Sequence, residues 1–439
     1  MLHNGPIYKF QNKWKMAQPG RGVYGLTGLD RHYIKIGNSI LSPIRELLVG
    51  DLPLEVRRRQ LRIANWVITK VQAQLLVQNN LPERNFDGPK KTIDTLNPLN
   101  VSAEYKFNNQ AQLRELVIGF QLPNNFKLKN GASIPSEECL LLFLYKTKHS
   151  MTFRQLEGIF HRDYTTLGRM YTHFARWMKR HWGYLHTDNF AYWVPQFPIF
   201  ARAIHRQMVR FNDGVDPLPP GQEPDIFGFP DGHNIATNTA GAGPAAPGPD
   251  APRRDPDGQL QEATYNGWLH QHGVKLLTVA LPNGMSLFVS KLYSMRRNDL
   301  HLLHDTDLNQ KVHNAQLAYG QHRLLYRMYG DGIFPWMSCL RSKFRAILGG
   351  VLTPFETLFN TLRNKVRISV EWSYRDVICF FGGLEEPSKM RMMQSDIQAF
   401  TTTVWLLMDA YNTMNMVQRA QFFELQPPTL REWTSQGPR

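Results

Sequence analysis

The chain has 439 residues, of which 42% are hydrophobic and 20% are charged, so it is not wholly disordered and can form two or three domains. It carries 51 Lys and Arg against 36 Asp and Glu, and this net charge of +15 indicates a polyanionic partner such as nucleic acid. The apolar runs are far shorter than the roughly 18 residues of a membrane helix, and the first ten residues lack a secretory signal, so we predict no membrane association.

Residues 1–110 are predicted to form an accessory N-terminal region that is partly helical. Apolar residues recur at a helical period in 54–78, and a shorter helix is predicted at 40–48. The run Arg57-Arg58-Arg59 precedes the main periodic stretch. It can be read either as a phosphate-contacting or nuclear-import patch or as the solvated start of a helix.

Residues 111–212 are predicted to form a helical domain with a helix-turn-helix at 136–182. Helices are expected at 136–146, 151–160 and 164–182, with Asp163 as the N-cap of the third. Two helices joined by about three residues, the second of them basic, are typical of helix-turn-helix DNA-binding proteins. A three-helix bundle without DNA contacts remains the alternative. The candidate DNA-binding residues on the third helix are Arg169, Arg176, Lys179 and Arg180.

The proline-rich segment 213–224 reads as a linker, and residues 225–410 as a mixed α/β domain. Strands are expected at 226–229, 274–281, 285–293 and 323–329, with a hairpin turn at Pro282-Asn283-Gly284. Helices are expected at 298–308, 347–359 and 366–381. A Pro/Gly-rich insertion occupies 235–264, and residues 411–439 form a C-terminal tail.

Three acidic residues stand in contexts that favour a shared site. Asp231 and Asp331 each follow a predicted strand and precede a glycine, and Glu371 lies in an otherwise apolar helical stretch. Each acid alone would be read as a turn or surface residue. Carboxylates from strand ends and a nearby helix are ligands that Mg²⁺ prefers, and two such ions can activate a nucleophile and stabilise a leaving oxygen.

Five motifs in order resemble the DDE domain of PIF/Harbinger-type transposases. They are Pro230-Asp231-Gly232-His233, the segment from Tyr265 to Lys275, Arg296-Arg297-Asn298-Asp299, the segment from Tyr329 to Pro335, and the segment from Asn364 to Trp372. The resemblance covers about 225–385. Phe334 stands where the family commonly has Tyr, and the stretch between Asn234 and Tyr265 is longer than in the family.

The resemblance implies an RNase H-like catalytic domain and cutting and joining of DNA at transposon ends. Carried over residue by residue, the catalytic and metal-binding triad is Asp231, Asp331 and Glu371, with Mg²⁺ or Mn²⁺, two ions, as cofactor. It also implies a nuclear protein that forms a homo-oligomer on DNA and is assisted by a Myb-like DNA-binding protein. The three separated cysteines, Cys139, Cys339 and Cys379, suit a reducing compartment.

Further residues are candidates for supporting roles. Asp299 could be an accessory acid near the site or the cap of the helix that follows it. Lys275 and Arg367 are candidate contacts to DNA phosphates.

Two other functions stay open. A domesticated, non-cleaving DNA-binding protein would share the fold but gain nothing from three clustered carboxylates, which repel one another without a metal. An RNase H-like nuclease acting on RNA is the third reading, because fold alone does not fix the substrate.

Overall fold

The computed structural model describes residues 88, 90–238, 259–320, 325–346, 350–384, 396–435 and 437. The predictions for residues 1–87, including the helices at 40–48 and 54–78 and the arginine patch, lie outside the described residues, as does most of the Pro/Gly-rich insertion. Residues 84–439 form one compact unit.

Helices account for most of the described chain. In order they are α1 (Val101–Tyr105), α2 (Gln110–Gly119), α3 (Ser136–His149), α4 (Phe153–Phe160), α5 (Tyr164–Trp182), α6 (Phe190–Trp193), α7 (Phe197–Arg210), α8 (Gln259–Thr264), α9 (Asp299–Asp305), α10 (Leu308–Ala318), α11 (Pro354–Arg367), α12 (Ser369–Phe380), α13 (Ile397–Met414), α14 (Gln418–Phe423) and α15 (Leu430–Trp433). Short 3₁₀ helices lie at Ile93–Thr95, Pro98–Asn100, Gly183–His186, Val194–Gln196 and Gly382–Leu384.

The predicted third helix of the basic block, α5, has the bounds that the sequence indicated. Asp163 caps it, since its Oδ1 accepts hydrogen bonds from the backbone N–H groups of Thr165 and Thr166 at 3.0 and 3.1 Å. Three residues, His161 to Asp163, separate α4 from α5. The predicted apolar stripe of α5 is buried at Leu167, Met170, Phe174 and Met178, and the helix packs against α3, α4 and α13.

The strands form a two-stranded sheet and a larger mixed sheet. The small sheet pairs β1 (Asn125–Lys127) with β2 (Ser133–Pro135). The large sheet contains β3 (Ile226–Ala236), β4 (Tyr265–Asn266), β5 (Gln271–Ala280), β6 (Ser286–Val289), β7 (Tyr293–Ser294), β8 (Arg327–Tyr329) and β9 (Leu340–Arg341). Its order is β4-β5-β3-β8-β9, with β6 and β7 also paired to β5.

Strand direction divides the large sheet into two parts. β5 is antiparallel to β3, β4, β6 and β7, whereas β8 runs parallel to both β3 and β9. The turn predicted between β5 and β6 is present, because Gly284 adopts a left-handed φ of 93° that glycine tolerates without strain. This mixed sheet with flanking helices confirms the predicted α/β architecture, and α7 and α12 both pack on β3.

Several element boundaries differ from the sequence prediction. β3 continues through Asp231 to Ala236 because β5 pairs with it along that whole stretch, so Asp231 lies within a strand and not at its end. The predicted helix at 347–359 instead begins at Pro354, where Thr353 and Glu356 form a capping box. The helix predicted at 298–308 is α9, which ends at Asp305, and a second helix, α10, begins at Leu308.

One contiguous hydrophobic core joins the helical block to the sheet. Residues of α3, α5 and α13 share it with residues of β3, β5 and β6. α13 is the most apolar of the long helices and is buried over most of its length. In the part of the chain that the structure describes, no helix is long and apolar enough to cross a membrane.

Candidate active site

Two of the predicted site residues emerge side by side from neighbouring parallel strands. Gly228 of β3 pairs with Met328 of β8, and Asp231 and Asp331 each follow their paired residue by three positions. Because the two strands run parallel, both aspartates lie at the same level of the sheet. Both side chains are partly exposed. The sheet therefore brings Asp231 and Asp331 near each other.

The charge around Asp231 is not balanced. Burial raises the pKa of Asp231 to about 6; Arg367 opposes this effect, and the negative charges of Asp299 and Asp331 add to it. Arg367 Nη1 lies 3.8 Å from Asp231 Oδ1. Three aspartates are thus close enough to disfavour ionisation of one of them. A bound cation would relieve this repulsion.

Asp299 reaches the site from the first turn of α9, where Asn298 and not Asp299 caps the helix. Its Oδ1 lies 2.5 Å from Lys275 Nζ, an ion pair whose angles are not those of a hydrogen bond. Both side chains pack over Gly232. A Cβ at Gly232 would overlap the carboxylate of Asp299 and lie 2.8 Å from Lys275 Cε. The glycine after Asp231 therefore makes room for a third acid and its lysine.

A tight turn after β8 fixes the position of Asp331. Its Oδ1 accepts a hydrogen bond from the backbone N–H of Ile333 at 2.8 Å, and Gly330 N–H donates to the carbonyl of Arg341 on β9 at 2.9 Å. Side chains pack closely against the glycines on either side: the Phe334 ring against Gly330 and Lys343 against Gly332. The carboxylate of Asp331 is thus held by the backbone of the turn.

Glu371 has a less defined position. It lies in the first turn of α12, is exposed, and has no described contact with Asp231 or Asp331. Two residues near it in sequence do contact Asp231: Arg367, which ends α11, and Tyr374, which lies on α12. The structure thus brings together Asp231, Asp299 and Asp331, and leaves Glu371 at the solvent-facing rim.

Tyr374 was not anticipated from the sequence as a site residue. Its hydroxyl donates to the backbone carbonyl of Asp231 at 2.8 Å and, having one proton, accepts from Thr278 Oγ1 at 2.6 Å. The ring also stacks on His233, with centroids 4.4 Å apart. These contacts hold α12 against β3 and β5 beside Asp231. No local sequence pattern marks Tyr374, because its contacts join segments that are far apart along the chain.

The donor set suits a hard divalent cation in type, although a complete cage is not formed. Carboxylate oxygens of Asp231 and Asp331 are ligands that Mg²⁺ takes together with water and substrate phosphates. Among the described residues, no group of three or more His, Cys, Asp or Glu side chains is arranged to hold a metal ion. Asp231 and Asp331 supply ligands of the type that such an ion takes, and no third protein ligand is in place among the described residues.

The predicted DNA-binding residues fall into two groups. Lys275 and Arg367 lie inside the acidic site as partners of Asp299 and Asp231. The remaining four lie exposed on α5. Of these, Arg176 is engaged within the chain, since its Nε lies 2.8 Å from Asp396 Oδ2 at the start of α13.

Comparison with known proteins agrees with this geometry at the level of a superfamily. Searches of curated proteins and of solved structures gave no match. Residues 250–407 match the family model described as DDE superfamily endonuclease. The matched segment contains Asp299, Asp331 and Glu371, whereas Asp231 precedes it. The mixed sheet flanked by helices is compatible with a DDE nuclease fold, and the match supports placing this part of the chain with the DDE superfamily endonucleases.

Proposed function

We propose that the chain is a DDE transposase of the PIF/Harbinger type, a nuclear endonuclease that binds transposon-end DNA and cuts and joins phosphodiester bonds. The observation that carries the proposal is the pair Asp231 and Asp331 at one level of adjacent parallel strands, near a third acid. The superfamily match and the net charge of +15 support a nucleic acid substrate. The RNase H-like fold, the Myb-like partner and the homo-oligomer on DNA are part of the same proposal.

The residues then divide the work of phosphodiester cleavage. Asp231 and Asp331 would hold Mg²⁺ or Mn²⁺, in the two-ion arrangement, and Glu371 would complete one site from α12. Metal ions held in this way lower the pKa of a bound water or 3′-hydroxyl and neutralise charge at the leaving oxygen. Tyr374 keeps α12 against β3. Arg367, beside Asp231, is placed to meet a phosphate once the carboxylate has a metal partner.

Helix α5 is the proposed DNA-binding element outside the catalytic site. Its exposed face carries Arg169, Lys179 and Arg180, and its apolar face is fully used for packing. A connection of three residues from α4 suits a helix-turn-helix. Electrostatic contacts from such a face bind DNA without reading its sequence.

A non-cleaving DNA-binding protein of the same fold is the second candidate, favoured by one specific observation. Lys275 and Arg367 already pair with two of the three aspartates, so that the acids are partly neutralised by the protein itself. A chain that had given up cleavage could keep such pairs.

Cleavage of supercoiled plasmid carrying candidate terminal repeats tests the proposal. We expect nicking or linearisation in Mg²⁺ or Mn²⁺, none in EDTA, and loss by at least about a hundredfold in Asp331→Asn, because a metal ligand is removed. Asp94→Asn, an exposed aspartate paired with Arg114, is the matched control and should cut normally. Cutting that survives EDTA or Asp331→Asn would contradict the proposal. DNA binding without cutting, after a Myb-like partner is supplied, would favour the second candidate.

The same assay identifies the third carboxylate. Glu371→Gln should abolish cutting without loss of folding, because the side chain is exposed, whereas Asp299→Asn should reduce cutting less. If Asp299→Asn abolishes cutting and Glu371→Gln does not, the third ligand comes from α9 and the assignment of Glu371 is wrong.

A further inference from the structure

The hairpin between β4 and β5 presents a tryptophan to solvent. Trp268 is 90% exposed, and its neighbours Tyr265 and Leu269 are 39% and 41% exposed. A single exposed apolar side chain is common on protein surfaces, whereas neighbouring exposed ones mark a binding surface more often. The three side chains form a small apolar tip on an arm of the large sheet.

The tip is held in a fixed shape. Asn266 Oδ1 accepts hydrogen bonds from the backbone N–H groups of Trp268 and Leu269 at 2.9 and 3.1 Å. Asn266 Nδ2 donates to the carbonyl of Met295 at 2.9 Å, which ties the hairpin to the end of β7. His270 closes the turn with a left-handed φ of 51°. A side chain on such a tip meets a ligand with little loss of backbone freedom.

The charge around the tip suits a polyanion. Residues 265–275 contain no Asp or Glu; they include His270 and His272, and Lys275 is already paired with Asp299. Arg296 and Arg297 follow the residue to which Asn266 is bonded. Their acidic partners are at 3.8 and 3.3 Å, and the side chains of these pairs are 37–81% exposed, so the pairs contribute little and can be exchanged for phosphates.

The arm is continuous with the acidic site. Asp231 pairs with Thr278 near the C-terminal end of β5, and β5 begins at Gln271, seven residues earlier, where it leaves the hairpin. At about 3.4 Å per residue the tip lies about 24 Å from Asp231, the rise of about seven base pairs. DNA held at Asp231 and Asp331 would reach the tip.

We propose that Trp268 stacks on an unpaired base of the DNA substrate, about seven base pairs from the scissile phosphate, and so positions strands that have lost pairing. The inference rests on the proposed function. Stacking on an aromatic ring is tolerant of base identity but requires a base that is free of its own stack. Trp268 would therefore favour gapped or distorted DNA over intact duplex.

Binding measured in EDTA, where cutting is not expected, tests the inference. Two probes are compared: an intact duplex and the same duplex with a short single-stranded gap that contains 2-aminopurine. Trp268→Ala should weaken binding to the gapped probe about tenfold and leave the intact duplex almost unchanged. Trp268→Phe should retain the preference for the gap. Leu99→Ala is the control, because Leu99 is also 90% exposed and lies far along the chain from the hairpin.

The fluorescence of 2-aminopurine reports stacking directly: quenching is expected with the unchanged chain and with Trp268→Phe, but not with Trp268→Ala. The inference would be overturned if Trp268→Ala bound the gapped probe and the intact duplex as tightly as the unchanged chain binds each of them. A loss of self-association in Trp268→Ala at unchanged DNA affinity would also overturn it, because the tip would then contact a second copy. If the chain cuts DNA but Trp268→Ala binds the gapped probe normally, only the stacking inference is wrong. If Trp268→Ala weakens binding to the gapped probe but the unchanged chain never cuts, the proposed nuclease activity is wrong.

Discussion

A single glycine sets how closely the charged groups approach Asp231. Gly232 lies in β3 between Asp231 and His233, whose side chains face one side of the sheet, and the carboxylate of Asp299 and the stem of Lys275 occupy the space on the other side, beside Gly232. An aspartate followed by a side-chain-bearing residue would have pushed Asp299 away. The Asp-Gly pair is thus a packing requirement of the site as much as a sequence motif.

We predict that Gly232→Ala lowers the rate of metal-dependent DNA cutting by at least about tenfold, since a 1 Å displacement at a reaction centre costs up to a hundredfold. The new methyl group would displace the side chains of Asp299 and Lys275. These are only 15% and 12% exposed and so have little room to move. Plasmid-cutting rates and thermal melts check this. Gly382→Ala, where a Cβ meets its nearest atom at 3.9 Å, is the control. Normal cutting by Gly232→Ala would mean that Asp299 and Lys275 can move without consequence.

The residues of the site differ in how far sequence could predict them. Asp231 and Asp331 were predictable because each follows a strand-like run and parallel strands bring such positions together. The Asp299–Lys275 pair and the bond from Tyr374 to the Asp231 carbonyl were not, because they join segments that are 24 and 143 residues apart. Contacts of that kind depend on how α9 and α12 pack on the sheet, which no local pattern encodes.

At the scale of elements, the sequence predicted correctly those features that depend only on neighbouring residues, such as a helix cap or a turn. Asp163 at the start of α5 and Pro282-Asn283-Gly284 between β5 and β6 predicted a cap and a turn that the structure contains. The extent of β3 was underestimated because the polar run after Phe229 lacks strand character. Pairing with β5, a partner distant in sequence, supplies the hydrogen bonds that extend β3 to Ala236.

The exposed face of α5 gives a prediction for DNA binding. Replacing Lys179 and Arg180 by Ala should weaken binding and reduce the slope of log affinity against log salt by about one to two, since each phosphate contact contributes about 0.9. Affinities at several salt concentrations measure the slope. Arg114→Ala, on α2 and paired with Asp94, removes an equally exposed charge and should leave it unchanged. The same slope in the double variant would exclude this face of α5 from the interface.

At the scale of the whole molecule, the chain is strongly basic whereas the candidate site is acidic. The chain carries a net charge of +15, yet Asp299 and Asp331 lie near enough to Asp231 to raise its pKa. A basic surface raises the local concentration of a polyanion, and a local acidic cluster raises that of a divalent cation. Substrate and metal would therefore be attracted to adjoining parts of one compact unit by charges of opposite sign.

The acidic cluster makes stability depend on metal. Mg²⁺ or Mn²⁺ should raise the thermal unfolding midpoint of the unchanged chain. An ion that binds only the folded state, present at a concentration of a hundred times its dissociation constant, stabilises that state by about 2.7 kcal/mol. Asp331→Asn should abolish the rise. Without metal this variant should be at least as stable as the unchanged chain, since one of the charges that repel Asp231 is gone. Thermal melts with and without EDTA measure both effects, with Asp94→Asn as control. If the metal-induced rise persists in Asp331→Asn, the ion binds elsewhere. If the metal-free variant is less stable than the unchanged chain, Asp331 stabilises the fold and its charge is not a net cost.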